Sequence, residues 1–291
     1  MLVDRKPFIA TVIATVNISF AAIYLKLCVS PLLLIGFYRL FITCMILFPI
    51  CFIKNNLKKI WNLIKNEYIL ITIVGVSLGL HFAVWNVSLE YISVGNSVFI
   101  VNLSPIPVSI LSYFILKNRL KYIQICGIFI SIFGGFIITM NDILKEMNIY
   151  GDLLAFSGAI FLSFYLVGGN KIRDKYDVIP YIFLVYLIAS LTLLIINLFF
   201  LQSITLYSIN DLIFIILLAL FSTIFGHSLY NYAIKKIKAT NISMFLLMEP
   251  ILSSIFAFLI LGEVPEPNLY VGGVLIIIGI FLVIKNYNKQ D

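Results

Sequence analysis

The chain has 291 residues, of which 62% are hydrophobic and only 11% are charged, and its mean hydropathy is +1.10. Soluble globular domains carry roughly 25% charged residues, so the composition excludes that class and predicts an all-α protein embedded in a membrane. The net charge of +7 does not indicate nucleic-acid binding, because the basic residues occur in small groups between apolar runs.

A membrane core about 30 Å thick requires on the order of 20 apolar residues in a helix. Ten apolar segments meet or approach that length, and we number them 1 to 10 in chain order. Their approximate ranges are 7–26, 31–53, 68–89, 92–116, 121–140, 150–169, 178–200, 211–233, 238–261 and 268–285. Turn residues or charge clusters separate them. We therefore expect a multi-pass protein of the cytoplasmic (inner) membrane, with segment 1 retained as a helix instead of being cleaved as a signal peptide.

Lysine and arginine residues alternate between the two ends of these segments. The N-terminus, the loops after even-numbered segments and the C-terminus together carry 17 of the 20, the remaining loops carry 2, and Arg39 lies inside segment 2. Basic residues concentrate on the cytoplasmic side of membrane proteins, so both termini are predicted to be cytoplasmic. The alternation also supports ten segments, since one more or one fewer would disrupt it.

The second half of the chain repeats the first. With a constant shift of 145 residues, positions 85–138 align with 230–283, and scarce polar and helix-breaking residues coincide. The matched pairs include Asn86/Asn231, Asn96/Asn241, Pro105/Pro250, Ser109/Ser254, Gly127/Gly272 and Gly134/Gly279. Because each half has five segments, the halves are expected to be inverted repeats, a recurring feature of secondary transporters. The predicted domains are residues 1–145 and 146–291.

Charged groups at mid-helix cost about 2.5 to 3.5 kcal/mol, so they mark candidate functional sites. Glu249 lies near the middle of segment 9, directly before the helix-breaking Pro250. Two interpretations of this carboxylate remain open. It receives a substrate amine or a proton, or it is a structural group bonded to a neighbouring helix.

Segment 3 has two faces. Gly75, Gly79 and Ala83 recur at every fourth residue and predict close helix packing. His81 and Trp85 lie on a roughly opposite face, which we interpret as a cavity wall. In the alternative interpretation, His81 bonds a neighbouring helix and Trp85 only fills space.

Segment 8 contributes a second polar cluster. The 145-residue shift places Tyr230 on Trp85, so each half is expected to present one aromatic side chain to the same cavity. His227 falls on Phe82, and a local hydrogen-bonding role is favoured for it over a proton relay.

The predicted substrate-binding residues combine apolar contact with polar orientation: His81, Trp85, Asn102, Tyr165, His227, Tyr230, Asn231 and Glu249. Structural or gating roles are predicted for Arg39, Pro105, Pro250 and Glu263. On the predicted topology Arg39 lies toward the outer side, where its long side chain can extend to the membrane interface.

The sequence contains no enzyme motif, neither a P-loop nor HExxH, GxSxG or a GxGxxG placed after a strand. No cluster of carboxylates or histidines is suited to a metal, and the four cysteines lack CxxC spacing. We therefore expect no enzymatic activity, no metal and no cofactor.

Several short motifs resemble one family: Tyr38-Arg39-Leu40, Leu103-Ser104-Pro105, Gly151-Asp152-Leu153-Leu154, Met248-Glu249-Pro250, Leu261-Gly262-Glu263 and Gly272-Gly273. Over nearly the whole chain they are similar to the EamA-type drug/metabolite transporters. The resemblance implies a ten-helix, two-repeat carrier with a cavity walled mainly by segments 1, 3, 4, 6, 8 and 9. Characterised relatives often export amino acids or other small metabolites. In one departure, Asn118 stands where the second half has Glu263.

The leading hypothesis is a monomeric secondary transporter in the lipid bilayer that moves a small zwitterionic or aromatic metabolite, such as an amino acid, outward by alternating access. Glu249 adds proton coupling as an open alternative to facilitated diffusion. The competing hypotheses are a carrier with a non-amino-acid substrate and a membrane sensor or scaffold that binds a ligand without moving it. The absence of a soluble output domain counts against the sensor.

Overall fold

The computed structural model describes residues 5–53, 55–145, 148–200, 205, 208–262 and 264–285, and in these ranges all regular structure is helical. Nine helices among the described residues are long and apolar enough to cross a membrane, and a shorter apolar helix covers Asn268–Ile284. The prediction of an all-helical, multi-pass membrane protein is confirmed.

The helices are α1 (Arg5–Ile18), α2 (Ala21–Lys26), α3 (Leu32–Cys51), α4 (Asn56–Ser88), α5 (Val94–Val101), α6 (Pro105–Leu116), α7 (Tyr122–Lys145), α8 (Ile149–Arg173), α9 (Val178–Phe199), α10 (Ile209–Leu217), α11 (Ser228–Ala233), α12 (Ala239–Leu246), α13 (Glu249–Leu261) and α14 (Asn268–Lys285). A π-helical segment, Leu218–His227, joins α10 to α11.

Segments 4 and 9, each predicted as one helix, are both interrupted at mid-length. Segment 4 divides into α5 and α6, and segment 9 divides into α12 and α13. Pro105 is the first residue of α6 and Pro250 the second of α13, positions that proline accepts because the first amides of a helix need no intrahelical partner. The interruptions place Asn102 and Glu249 at helix ends inside the bundle.

Three predicted boundaries are wrong, and one is the end of segment 6, which was predicted at residue 169, whereas α8 continues to Arg173. The basic run after segment 2 was expected to be a loop, but α4 begins at Asn56 and continues to Ser88, with a kink at Glu67 (φ −132°). Segment 5 was expected to end before Asn141, but α7 continues to Lys145. Lysine and leucine favour helix, and the exposed Lys58, Lys59 and Lys65 of the first stretch need no apolar partner.

The π-helical segment widens segment 8 beside the bundle centre. The Thr223 hydroxyl donates to the Leu218 carbonyl five residues earlier, at 3.1 Å, and the Ser228 hydroxyl donates to the Thr223 carbonyl, also at 3.1 Å. Wider turns of this kind occur frequently at functional sites. Here the widened stretch carries Thr223 and His227 into the core.

Glycines allow the closest helix contacts. A Cβ atom at Gly134 would lie 2.5 Å from the Gly272 carbonyl oxygen, and one at Gly127 would lie 2.6 Å from that of Gly279, so α7 and α14 touch backbone to backbone. On α4, a Cβ at Gly75 would lie 2.6 Å from Ile188 of α9. The predicted packing ridge on segment 3 is confirmed.

Candidate functional site

A small cavity lies in the middle of the bundle, where α5 ends and α13 begins. The part that a water-sized sphere can reach is about 30 Å³, room for roughly two waters. Its walls are formed by Ile18, Ala21, Arg39, His81, Phe82, Trp85, Val101, Asn102, Leu162, Leu166, His227, Tyr230, Leu246 and Glu249. Six of the eight residues predicted to bind substrate lie here, together with Arg39. We call this the central cavity.

Asn102 and Glu249 meet across the two interrupted segments. The Asn102 side-chain amide donates a hydrogen bond of 2.9 Å to Glu249 Oε2, and both residues are buried. Glu249 also lies in the first turn of α13, where the helix dipole favours negative charge. No basic side chain in the described part of the chain comes within 4.0 Å of this carboxylate.

Arg39 of α3 lies in the cavity wall with only 2% of its surface exposed. Its Nε donates to Thr223 Oγ1 at 2.7 Å, and its guanidinium carbon stands 4.4 Å from the centre of the Phe82 ring. The expectation that Arg39 extends to the membrane interface is therefore wrong. Thr223 and the Phe82 ring together hold the guanidinium inside the bundle instead.

His81 and Trp85 form one aromatic wall. Their rings stack with centroids 6.0 Å apart and planes 7° apart. His81 Nδ1 lies 2.9 Å from the Gly158 carbonyl oxygen. A carbonyl can only accept, so Nδ1 carries the proton and a neutral His81 keeps Nε2 as an acceptor.

Tyr230 joins the cavity from the opposite half of the chain. Its hydroxyl lies 2.7 Å from Thr15 Oγ1, a contact that ties α11 to α1. Trp85 and Tyr230, which are 145 positions apart, both line the cavity, as the shift predicts.

His227 reaches the cavity, but Tyr165 and Asn231 lie behind it. The His227 ring packs against Phe82 at 5.3 Å and Tyr165 at 5.9 Å between centroids. Asn231 donates to the His227 carbonyl oxygen at 2.7 Å and to the Tyr165 hydroxyl. These two residues therefore support the cavity wall without forming its surface.

Of the remaining predicted residues, Pro105 and Pro250 begin the second halves of the interrupted segments and lie outside the central cavity. Glu263 lies outside the described residues. Thr15 was not among the predicted site residues, although Thr11, Thr15 and Ser19 recur at every fourth residue and mark a polar face on segment 1.

A larger pocket of about 230 Å³ lies next to the central cavity, and we call it the vestibule. Ala22 and Pro250 line the vestibule, and their chain neighbours Ala21 and Glu249 line the cavity, so a single layer of residues separates the two spaces. Ser253, Ala257 and Glu266 continue the vestibule wall toward the end of the bundle where α2 ends and α5 begins.

The opposite end of the cavity is closed by a dense aromatic layer. Tyr165, Tyr181 and Tyr186 are each fully buried there. Arg173 braces this layer by donating from Nε to the Asn231 carbonyl oxygen at 2.9 Å and from Nη1 to the Tyr176 carbonyl oxygen. The two ends of the cavity therefore differ: chain neighbours line the cavity and the vestibule at one end, and three buried tyrosines lie at the other.

The model of the EamA-like transporter family matches the chain over residues 6–140 and again over 149–285. The chain is 28% identical to Uncharacterized transporter YyaM of Bacillus subtilis (strain 168), over 82% of this chain and 79% of that protein. It is 26% identical to Uncharacterized transporter YoaV of the same organism, over 90% of each. One crystal structure, 13% identical, superposes with a TM-score of 0.82 over 98% of this chain and 99% of its own, which shows a shared fold.

Proposed function

Because this chain belongs to the EamA-like transporter family, we propose that it is a secondary transporter that moves an amino acid or a related small metabolite out of the cell by alternating access. The observation that carries the proposal is the central cavity, in which one buried cation, one buried carboxylate and stacked aromatic rings converge at the interruptions of two membrane segments. Substrate sites of secondary transporters lie at such discontinuous helices near the bilayer midplane.

We further propose ten membrane helices in two inverted repeats, residues 1–145 and 146–291. Reciprocal contacts support a pseudo-two-fold axis between α7 and α14. Gly127 approaches Gly279 and Gly134 approaches Gly272, while the 145-residue shift equates Gly127 with Gly272 and Gly134 with Gly279. The shift therefore converts the Gly127–Gly279 contact into the Gly272–Gly134 contact, as a two-fold axis between the helices requires.

Two further observations support the same arrangement. Lys117 (φ 57°) after α6 and Gly262 (φ 72°) after α13 both adopt the left-handed conformation at helix ends, and they are 145 positions apart. The 17-to-2 distribution of basic residues supports cytoplasmic termini. On this topology the vestibule opens to the outside and the tyrosine layer closes the cytoplasmic side.

The polar groups of the cavity fit a small zwitterion. Glu249 is placed to receive an ammonium group, since Asn102 orients its carboxylate and the described chain supplies no basic partner for it. Trp85 and Tyr230 offer flat apolar surfaces to a side chain. The cavity has room for only about two waters, so binding of an amino acid requires the two repeats to separate around it, and alternating access supplies that motion.

Purified protein in proteoliposomes tests the proposal. We expect saturable flux of at least one compound from a panel of the twenty amino acids and related metabolites, with no flux in protein-free liposomes. A panel without any saturable flux contradicts the proposed substrate class. A monomeric carrier without a soluble partner is expected to show this flux with no added component. Flux that responds to a pH gradient would identify protons as the coupling ion.

A further inference from the structure

Several buried polar atoms around the central cavity have no hydrogen-bond partner among the described residues: Arg39 Nη2, Trp85 Nε1, Asn102 Oδ1 and His227 Nδ1. All four belong to side chains that are at least nine-tenths buried and that line the same cavity. Unpaired buried polar groups are costly, and native proteins keep few of them. Four in one small cavity mark it as a binding site for water or for a ligand with complementary groups.

These atoms differ in their hydrogen-bonding roles. Arg39 Nη2 and Trp85 Nε1 can only donate, so they require an acceptor. Asn102 Oδ1 can only accept, and it belongs to the same amide that bonds the Glu249 carboxylate. His227 Nδ1 can take either role, so the cavity wall offers unpaired donors from Arg39 and Trp85 and an unpaired acceptor from Asn102 beside the Glu249 carboxylate.

Arg39 forms no direct salt bridge in the described structure. No carboxylate among the described residues approaches its guanidinium within 4.0 Å, although Glu249 lines the same cavity. Its Nε bond to Thr223 and its contact with Phe82 orient the guanidinium but give it no direct salt bridge. A buried, unpaired cation is strongly unfavourable, and a bound anion removes the penalty.

We propose that the transported substrate bears a carboxylate that binds Arg39 through Nη2, with the Trp85 indole N–H as a second donor, while its ammonium group binds Glu249 and Asn102 Oδ1. This inference rests on the proposed transport function and deepens it, because it makes Arg39 a specificity-determining residue. Charge complementarity favours a carboxylate over a phosphate. One cation and one anion in the wall balance a zwitterion, whereas a doubly charged phosphate meets repulsion from Glu249.

The test compares matched compounds in proteoliposomes: each amino acid transported by the wild type, its carboxamide, and the amine that lacks the carboxyl group altogether. We expect the carboxamide and the amine to be transported with a kcat/KM roughly tenfold or more below that of the amino acid, because each leaves Arg39 unpaired. Equal transport of the three compounds would overturn the inference and leave the transporter function intact. If the full amino-acid panel shows no flux, the proposed function fails and the inference fails with it.

Three variants separate recognition from folding. Arg39→Gln is expected to lose the preference for amino acid over carboxamide, whereas Arg39→Lys retains the preference with a higher KM. Arg173→Gln, a matched change of a buried arginine outside the cavity, is expected to keep the wild-type ratio between the two compounds even if its absolute rate falls. An unchanged ratio in a folded Arg39→Gln protein contradicts the inference. Should that variant fail to fold, Arg39→Lys and the wild-type comparison still decide.

Discussion

The Asn102 side-chain amide donates a 2.9 Å hydrogen bond to Glu249 Oε2, which joins the interruption of one membrane segment to the interruption of another 147 positions later. Neither residue has a polar counterpart of the same type under the 145-residue shift, which places Leu247 on Asn102 and Ser104 on Glu249. A nearly symmetric scaffold thus carries an asymmetric pair at its centre. The pair lies where substrate contacts are proposed.

Glu249→Gln removes the negative charge but keeps an oxygen that can accept from Asn102. If Glu249 receives the substrate ammonium, the variant should fold normally and lose about tenfold or more in kcat/KM for amino acids. If Glu249 instead carries the coupling proton, flux driven by a pH gradient should disappear while exchange at equal pH survives.

The matched control for that variant is Glu67→Gln, which removes a carboxylate outside the cavity. Glu67 Oε1 lies 3.4 Å from Lys175 Nζ. Flux by this protein should stay close to the wild type. A Glu249→Gln protein with unchanged kinetics and unchanged pH response would show that the carboxylate is structural.

The adjacent glycines Gly272 and Gly273 should differ in their tolerance of a methyl group. A Cβ at Gly272 would lie 2.3 Å from the Gly134 carbonyl oxygen, whereas one at Gly273 would lie 3.6 Å from the nearest atom, Ile251 Cδ1. Gly272→Ala is expected to destabilise the fold by about 1 to 3 kcal/mol, and Gly273→Ala to leave it nearly unchanged. Thermal unfolding in detergent measures the difference. Equal melting temperatures would refute the backbone contact between α7 and α14.

The vestibule should be reachable from outside the cell. In a cysteine-free background, Ser253→Cys is expected to react with a membrane-impermeant thiol reagent added to intact cells, because Ser253 lines this pocket. Ser131→Cys serves as the control and should remain unlabelled, since Ser131 is fully buried and bonds the Ile276 carbonyl oxygen. Labelling of Ser253→Cys only after permeabilisation would reverse the proposed direction of opening.

Reporter fusions test the inverted arrangement of the two halves. Green fluorescent protein fused to the C-terminus should fluoresce, and alkaline phosphatase inserted at Glu90-Tyr91, in the loop after segment 3, should be active because that enzyme requires export. The opposite pattern would place the termini outside and would contradict the topology derived from the basic residues.

The positions of the membrane helices were largely predictable, because a helix that crosses the bilayer core needs an apolar stretch of about 20 residues. Spacing along single helices was equally informative for His81 and Trp85, whose common face does line a cavity. Pro250 pointed to a backbone disturbance beside Glu249, and the interruption lies there.

The environment of Arg39 was not predictable in the same way. Its partner Thr223 is 184 positions away and is brought to it by a π-helical turn that leaves no periodicity in the sequence. Hydropathy places an arginine at a depth in the membrane, but only the packing of α3 against segment 8 decides whether it turns outward or inward. Thr15 was not predicted either, because its contact with Tyr230 also depends on the packing of helices that are distant in sequence.

Counterflow in proteoliposomes tests the central claim of alternating access through this cavity most directly. Uptake of a labelled amino acid from the transported class should be accelerated when the same unlabelled amino acid is trapped inside, and Glu249→Gln and Arg39→Gln should weaken that acceleration. Uptake that rises linearly with concentration and ignores the internal amino acid in the wild-type protein would contradict it.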